Sequence, residues 1–252
     1  MTNDDGMFAP GIHSLVNAVR DLGKVYVVSP DSPQSGKGHA VTLREPIRFN
    51  RVKTFEDIEA WECSGTPVDC VKWAKNVLLK NETIDLCVSG INHGANASIN
   101  IIYSGTMSAA MEAAMEGIHS VGFSLLDFSF EADFSASERI SNRISKYVLN
   151  LEPDSRGPIL LNVNIPAVPE NELKGIKICR QANARWKEEF QEGIDPRGMK
   201  YYWMAGELFN LDKGQDTDLQ ALEEGYVSVV PCQFDLTDYP NLRNLNGLMN
   251  DQ

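Results

Sequence analysis

The chain has 252 residues, with 23 Lys and Arg against 35 Asp and Glu, for a formal net charge of −12. That length holds one large α/β domain or two small ones, with a core that stands without disulfides or structural metal. The acidic balance, with its basic residues dispersed rather than striped, excludes long duplex DNA or RNA as a partner, but admits a small anionic substrate met through a metal ion.

The first element is a turn, Asn3-Asp4-Asp5-Gly6. Adjacent carboxylates repel, and a chain that carries them commonly gives the charge a use, most often a hard cation. Gly6 permits a turn that residues with a Cβ resist. Beyond Ala9-Pro10-Gly11, apolar residues at Ile12, Leu15, Val16, Val19 and Leu22 predict a helix, with Pro10 near its start and Gly23 past its end. A plain acidic surface turn that caps this helix is the simpler reading of the same residues.

Val25–Val28 predicts a short strand ending at Ser29-Pro30-Asp31. Thr66-Pro67 opens a helix with Val68, Val71, Ala74, Val77 and Leu78 inward. A strand over Ile84–Ser89 is broken at Gly90, a small-residue helix runs from about Thr106 to Met115, and Ser120–Leu125 is a further strand. Ile140, Ile144, Tyr147, Val148 and Leu151 mark a longer helix, Ile159–Asn164 a fifth strand. Apolar strands alternating with amphipathic helices predict a mostly parallel sheet covered on both faces. Past residue 180, Trp186, Phe190, Tyr201, Tyr202 and Trp203 stand among polar residues at hairpin spacing. This predicts a projecting arm that meets a second copy of the chain, or else a hairpin folded on its own core. A helix near Thr217–Glu224 and a strand at Tyr226–Val230 follow. No linker or repeat divides the chain, so one unit over 1–252 is expected, with a core to about 180 and the arm and closing elements beyond.

The five cysteines are odd in number, scattered and without a CxxC pair, as suits free thiols in a reducing compartment. No apolar run approaches the roughly 18 residues of a membrane span, and no signal peptide opens the chain. A soluble cytoplasmic protein is expected.

In a parallel sheet the ligand site lies beyond the carboxyl ends of the strands. That rule gathers Asp4-Asp5, the Ser29–Gly38 loop and the Ser89–Ser98 loop on one rim, where carboxylates, a hydroxyl and an amide carbonyl suit Mg²⁺ or Mn²⁺. Tyr103-Ser104-Gly105-Thr106 leads into a helix whose N–H groups and hydroxyls form an anion site, unless Ser104 merely caps it.

Together these segments resemble the SurE (survival protein E) nucleotidases. The resemblance rests on Thr2–Gly6 with Ala9–Ile12, Val28–Asp31 with Gln34-Ser35-Gly36, Gly65–Val71, Ser89–Asn96 and Tyr103–Thr106. Asp216-Thr217-Asp218 before Gly225–Ser228, and Asp235-Leu236-Thr237, extend it over nearly the whole chain in the right order. It implies a Rossmann-like three-layer α/β/α core with a mostly parallel sheet, and a C-terminal hairpin and helix arm exchanged between subunits of a homodimer or homotetramer. It also implies a metal-dependent phosphomonoesterase, a 5′-nucleotidase acting on nucleoside monophosphates; some members accept 3′-nucleotides or short polyphosphate. By motif position the single divalent ion falls to Asp4, Asp5, Ser35 and Asn92, and the phosphate to Asn96, Ser104, Gly105 and Thr106. Asp4 or Asp5 then orients the attacking water or takes its proton. His93, beside Asn92, stands where it can protonate a leaving group, though the resemblance gives it no role. A non-catalytic nucleotide- or metal-binding module is the alternative.

P-loop, dinucleotide, EF-hand and zinc patterns all fail on spacing. Members of the family carry a short apolar strand ahead of the acidic turn, whereas here only Met1-Thr2-Asn3 precede it. The expectation is therefore that the natural start lies upstream, that the first ligands hang on an unanchored end, and that this chain holds its metal weakly.

Overall fold

A computed structural model describes residues 1–129, 131–151 and 157–245. Helix α1 (Pro10–Val19) ends in a 3₁₀ turn over Arg20–Leu22 and leads into strand β1 (Tyr26–Pro30). β2 (Phe49–Val52) and β3 (Glu59–Cys63) follow, then α2 (Pro67–Trp73), extended by a π-helical turn. The central run is β4 (Leu86–His93), α3 (Gly105–Met115), β5 (His119–Leu125), α4 (Ser135–Leu149) and β6 (Leu160–Ile165). β7 (Ile176–Ile178), β8 (Ala184–Ile194), β9 (Lys200–Asn210), α5 (Asp218–Glu223), β10 (Val227–Pro231) and α6 (Tyr239–Asn244) complete the described chain.

β1, β3 and β2 form one sheet in that order, and β4, β5, β6, β10 and β7 a second. The pairs β1–β3, β4–β5, β5–β6 and β10–β7 are parallel; β2–β3 and β6–β10 are antiparallel. Met1 and Thr2 join the two sheets. The Met1 amino group donates to the Tyr26 carbonyl (2.9 Å) and its carbonyl accepts from Val28 N–H. Thr2 N–H donates to the Val88 carbonyl and its own carbonyl accepts from Gly90 N–H. The acidic turn is therefore anchored on both sides, contrary to the unanchored end expected from the sequence, because two backbone hydrogen bonds to each flank suffice to fix two residues.

The layers follow from which side chains are apolar. Leu15, Ala18 and Val19 of α1 and Ile140, Ile144 and Val148 of α4 share a core with Val88, Val121, Phe123 and Val163. On the other face, Val71 of α2 and Ala109 and Ala113 of α3 pack on Cys87. The α/β/α arrangement is the expected one, with two differences. β2, β3, β7 and α6 are additional elements, and β4 runs through Gly90 to His93 instead of breaking there, with a register shift between Ser89 and Asn92. The strand survives because Gly90 takes φ +126°, a conformation glycine alone enters readily.

β8 and β9 form a separate two-stranded hairpin with Phe190, Tyr202 and Trp203 exposed. Its root is pinned by Arg180, whose guanidinium donates to both Asp212 carboxylate oxygens and to Asp216, and by Trp186 Nε1, which donates to Asn100. Among the described residues all five cysteines are free, and no helix is long and apolar enough to cross a membrane.

Candidate active site

The rim at the carboxyl ends of β1 and β4 starts with the turn after Thr2. Asn3 is fully buried: its side-chain amide donates to the Gly6 carbonyl (2.9 Å), and its Oδ1 accepts from the Ser29 hydroxyl (2.5 Å). Met7 N–H donates to the Pro30 carbonyl, so the turn is clamped to the end of β1. Glycine at position 6 is required by φ +98°.

Asp4 points at the start of α3. Its Oδ1 accepts from the Thr106 hydroxyl at 2.5 Å. A Cβ built on Gly105 would lie 2.7 Å from the Asp4 Cβ and 2.9 Å from its Oδ2, so only glycine admits the carboxylate this close to the helix N-terminus. Burial, and then the charge of Asp5, push the Asp4 carboxyl up to about 6, although bonds from Thr106 favour its ionised form. Asp5 is also raised, chiefly by burial, against a bond from His93 N–H (3.3 Å) and the nearby His93 ring. The ion pairs of α2, α3 and the hairpin root involve other carboxylates. Two acids are thus held close together, desolvated, with no salt-bridge partner among the described residues.

The Ser29–Gly38 loop reaches this turn directly, since Gln34 N–H donates to the Asp4 carbonyl at 2.7 Å. Ser35 follows in an exposed bend whose glycines, Gly36 and Gly38, both take positive φ. Gly38 N–H donates to the Tyr103 carbonyl, and His39 bonds the buried Glu112 of α3, which ties the loop to that helix. At the end of β4, the Asn92 amide donates to the carbonyls of His93 and Gly94. Its NH₂ is thereby occupied.

Asn96 lies deeper. Its N–H donates to Asn164 Oδ1 (2.8 Å), its side-chain amide to the Ser124 hydroxyl (2.9 Å), and its carbonyl accepts from Asn162 (2.8 Å). Asn164 in turn donates to Asn162, and the buried Asp218 accepts from Ser98 N–H. One amide hydrogen of Asn96 is therefore spent inside the protein. Ser104 caps α3 by accepting from Met107 N–H, which leaves its own hydroxyl hydrogen available. The Thr106 hydroxyl differs from expectation, because it is donated to Asp4 rather than offered to an anion.

Asn3 and Gln34 lie in motifs the sequence singled out but carried no role there, and Ser124, Asn162 and Asn164 were read only as strand residues. For the last two a signal exists: paired amides in an otherwise apolar strand must find buried partners.

A family model described as "Survival protein SurE" matches residues 1–188. The chain belongs to the SurE family. It is 54% identical over 250 residues to "5'-nucleotidase SurE" of Christiangramia forsetii, covering 98% of this chain and 95% of that protein. It is 55% identical over 244 residues to the protein of the same description from Cytophaga hutchinsonii, covering 97% and 93%. A crystal structure of the SurE protein from Aquifex aeolicus is similar over 98% of both chains, with a TM-score of 0.83 and 40% identity. These likenesses establish the SurE fold for the α/β core described above.

A SurE-type divalent cation can be tested against these residues. The buried Asp4 carboxylate, the half-buried Asp5 carboxylate, the Asn92 Oδ1 and the Ser35 hydroxyl are all hard oxygen donors, the chemistry that Mg²⁺ and Mn²⁺ select. Among the described residues there is no group of three or more His, Cys, Asp or Glu side chains placed to hold a metal. An ion at this rim would therefore meet at most two carboxylates, with neutral oxygens as the remaining donors. The donor set fits.

Proposed function

We propose that this chain is a metal-dependent phosphomonoesterase that hydrolyses nucleoside 5′-monophosphates to nucleoside and phosphate, with 3′-nucleotides and short polyphosphate as lesser substrates. The observation that carries the reading is the contact of Asp4 with Gly105 and Thr106, which puts a metal-type carboxylate against a helix N-terminus suited to phosphate.

In this reading Asp4, Asp5, Ser35 and Asn92 hold one divalent ion, Mg²⁺ or Mn²⁺. When bound, the ion supplies positive charge to a phosphoryl oxygen and makes a neighbouring water more acidic. Ser104 donates its hydroxyl hydrogen to the phosphate, the N–H of Gly105 at the start of α3 adds its own, and Asn96 offers its remaining amide hydrogen. Thr106 acts by fixing Asp4. Asp5, held only by the longer bond from His93, is the freer carboxylate to accept the proton of the attacking water, and its raised pKa suits that task.

Phosphate release from AMP with Mg²⁺ or Mn²⁺, with and without chelator, tests the assignment. Chelator-sensitive release is expected. No release from any nucleoside monophosphate or short polyphosphate would overturn it in favour of a binding module.

The same proposal covers assembly and location. The unit 1–252 is one SurE-like body whose β8–β9 arm engages a second copy to give a homodimer or homotetramer in the cytoplasm. Phe190 and Trp203, on opposite faces of the arm, are 66% and 69% exposed, apolar area that a partner copy would remove from water. Changing both to Glu is expected to give a single-chain mass in light scattering with the core still folded by circular dichroism. An unchanged oligomer would show that the arm is not the interface.

A further inference from the structure

The segment Asp216-Thr217-Asp218 carries part of the SurE resemblance but has no place in the chemistry proposed above. Asp218 opens α5 and is fully buried, with no ion pair among the described residues. Main-chain donors meet it instead. Its Oδ2 accepts from Ser98 N–H (2.7 Å), and its Oδ1 from Ala182 N–H (2.9 Å) and Leu219 N–H (2.8 Å). Three donors converging on two oxygens need an acceptor-only group, which a carboxylate is and an amide is not.

Ser98 is the residue that this acid holds in place. It is fully buried and takes φ +55°, in the left-handed region that a residue with a Cβ enters only at a cost. A second bond, from its Oγ to the Ala182 carbonyl (2.9 Å), holds the same conformation. Ser98 opens the 3₁₀ turn Ser98–Ile102, which makes up most of the chain between Asn96 and Ser104. Asn96 is fixed from β6 by Asn162 and Asn164, and the turn itself is tied by Trp186 Nε1 of the arm, which donates to Asn100 (2.8 Å). Ala182 lies just ahead of β8. The path from Asn96 to Ser104 is thus set by Asp218 from the root of the arm.

We propose that Asp218 is a positioning residue for the phosphate site, acting through Ser98: it fixes the turn that sets Asn96 against Ser104 and Gly105, and it makes the arm root part of that site's frame. The inference rests on the phosphate site proposed above. Among the described residues Asp218 and Ser98 make no hydrogen bond to Asp4, Asp5, Ser35 or Asn92, so loss of the carboxylate acts on phosphate and spares the cation. In Asp218→Asn the single acceptor oxygen keeps Ala182 and Leu219 and turns an NH₂ on the Ser98 N–H, which releases the strained residue.

Two calorimetric titrations of the full chain test this: inorganic phosphate in saturating Mg²⁺, and Mn²⁺ without phosphate. Asp218→Asn is expected to bind phosphate about tenfold more weakly and to raise KM for AMP to a similar extent, with Mn²⁺ affinity as in the parent. A general loosening of the fold would weaken both ligands together; that result, or unchanged phosphate affinity, would overturn the proposal. Should Asp218→Asn fail to fold by circular dichroism, Ser98→Ala carries the test. It keeps the N–H and loses the Oγ bond, so the same split is expected at about threefold, and its absence would overturn the proposal. A parent that binds phosphate but releases none from AMP would end the hydrolase reading and leave this inference to be judged by the phosphate affinities. A parent that binds no phosphate would overturn both.

Discussion

Asp4→Asn is expected to yield a protein that is more stable without metal and at least about a hundredfold less active with it. The first half follows from the site's electrostatics. Asp4 is only 4% exposed, and its carboxyl titrates near 6 in the folded chain against an ordinary value of 3.8. A raised folded pKa means that the native state holds the proton more tightly than the unfolded one. The stabilisation is full below about 3.8 and disappears as pH climbs through about 6, so at neutral pH the ionised native form bears a cost on the order of 2–3 kcal/mol. Asparagine keeps the shape and an acceptor for Thr106 and carries no charge. Melts in chelator at pH 7.5 should therefore place the variant a few degrees above the parent, and the gap should close by pH 4.5. With Mn²⁺ added the order should reverse, because the parent gains ligand-linked stability and the variant loses a charged ligand. Retained nucleotidase activity in a metal-replete assay would remove Asp4 from the site.

Gly90→Ala is the second large effect, expected to cost about 3 kcal/mol or more. A Cβ at position 90 would lie 2.3 Å from the Phe123 carbonyl oxygen and 3.2 Å from Asn92 N–H, both backbone atoms that cannot swing aside. The φ of +126° adds strain independently. The adjacent Ile91 carbonyl is also pinched from the helix side, where a Cβ on Gly11 would approach to 1.9 Å. Relief must move β4, and Asn92 with it, so activity should fall along with the denaturation midpoint. Gly23→Ala is the control: its φ of 164° is extended, and nothing lies within 4 Å of the added atom. A Gly90→Ala variant as stable as Gly23→Ala would mean that β4 yields at this point.

What the sequence carried depended on whether a segment's reason lay in itself. α1 and α3 announced themselves through apolar spacing and small residues, three segments of the rim were legible from the strand-end rule, and the fourth from its place at a helix start. β2 and β3 were not. Phe49-Asn-Arg-Val and Glu59-Ala-Trp-Glu-Cys read as polar because their outer faces meet solvent, and only the pairing of Trp61 with Val28 and Arg51 makes them strands. The passage of β4 through Gly90 was hidden for the opposite reason: a glycine usually marks a break, and here close approach to Phe123 needs one. Thr106 looked like an anion ligand because its true partner, Asp4, is 102 residues away in the chain.

That separation governs how the site comes into being during synthesis. Asp4 leaves the ribosome long before Asn92 and Thr106 do, a delay on the order of 5–20 s at ordinary elongation rates. Throughout that interval Met1 and Thr2 have at most β1 beside them, and the acid pair remains hydrated and unperturbed. Only when β4 emerges can the two half-sheets close over the turn and force both carboxylates out of water. Metal affinity is therefore acquired late, as one event with sheet closure, and a nascent chain interrupted before residue 93 carries the whole acidic motif without the chemistry that the motif serves.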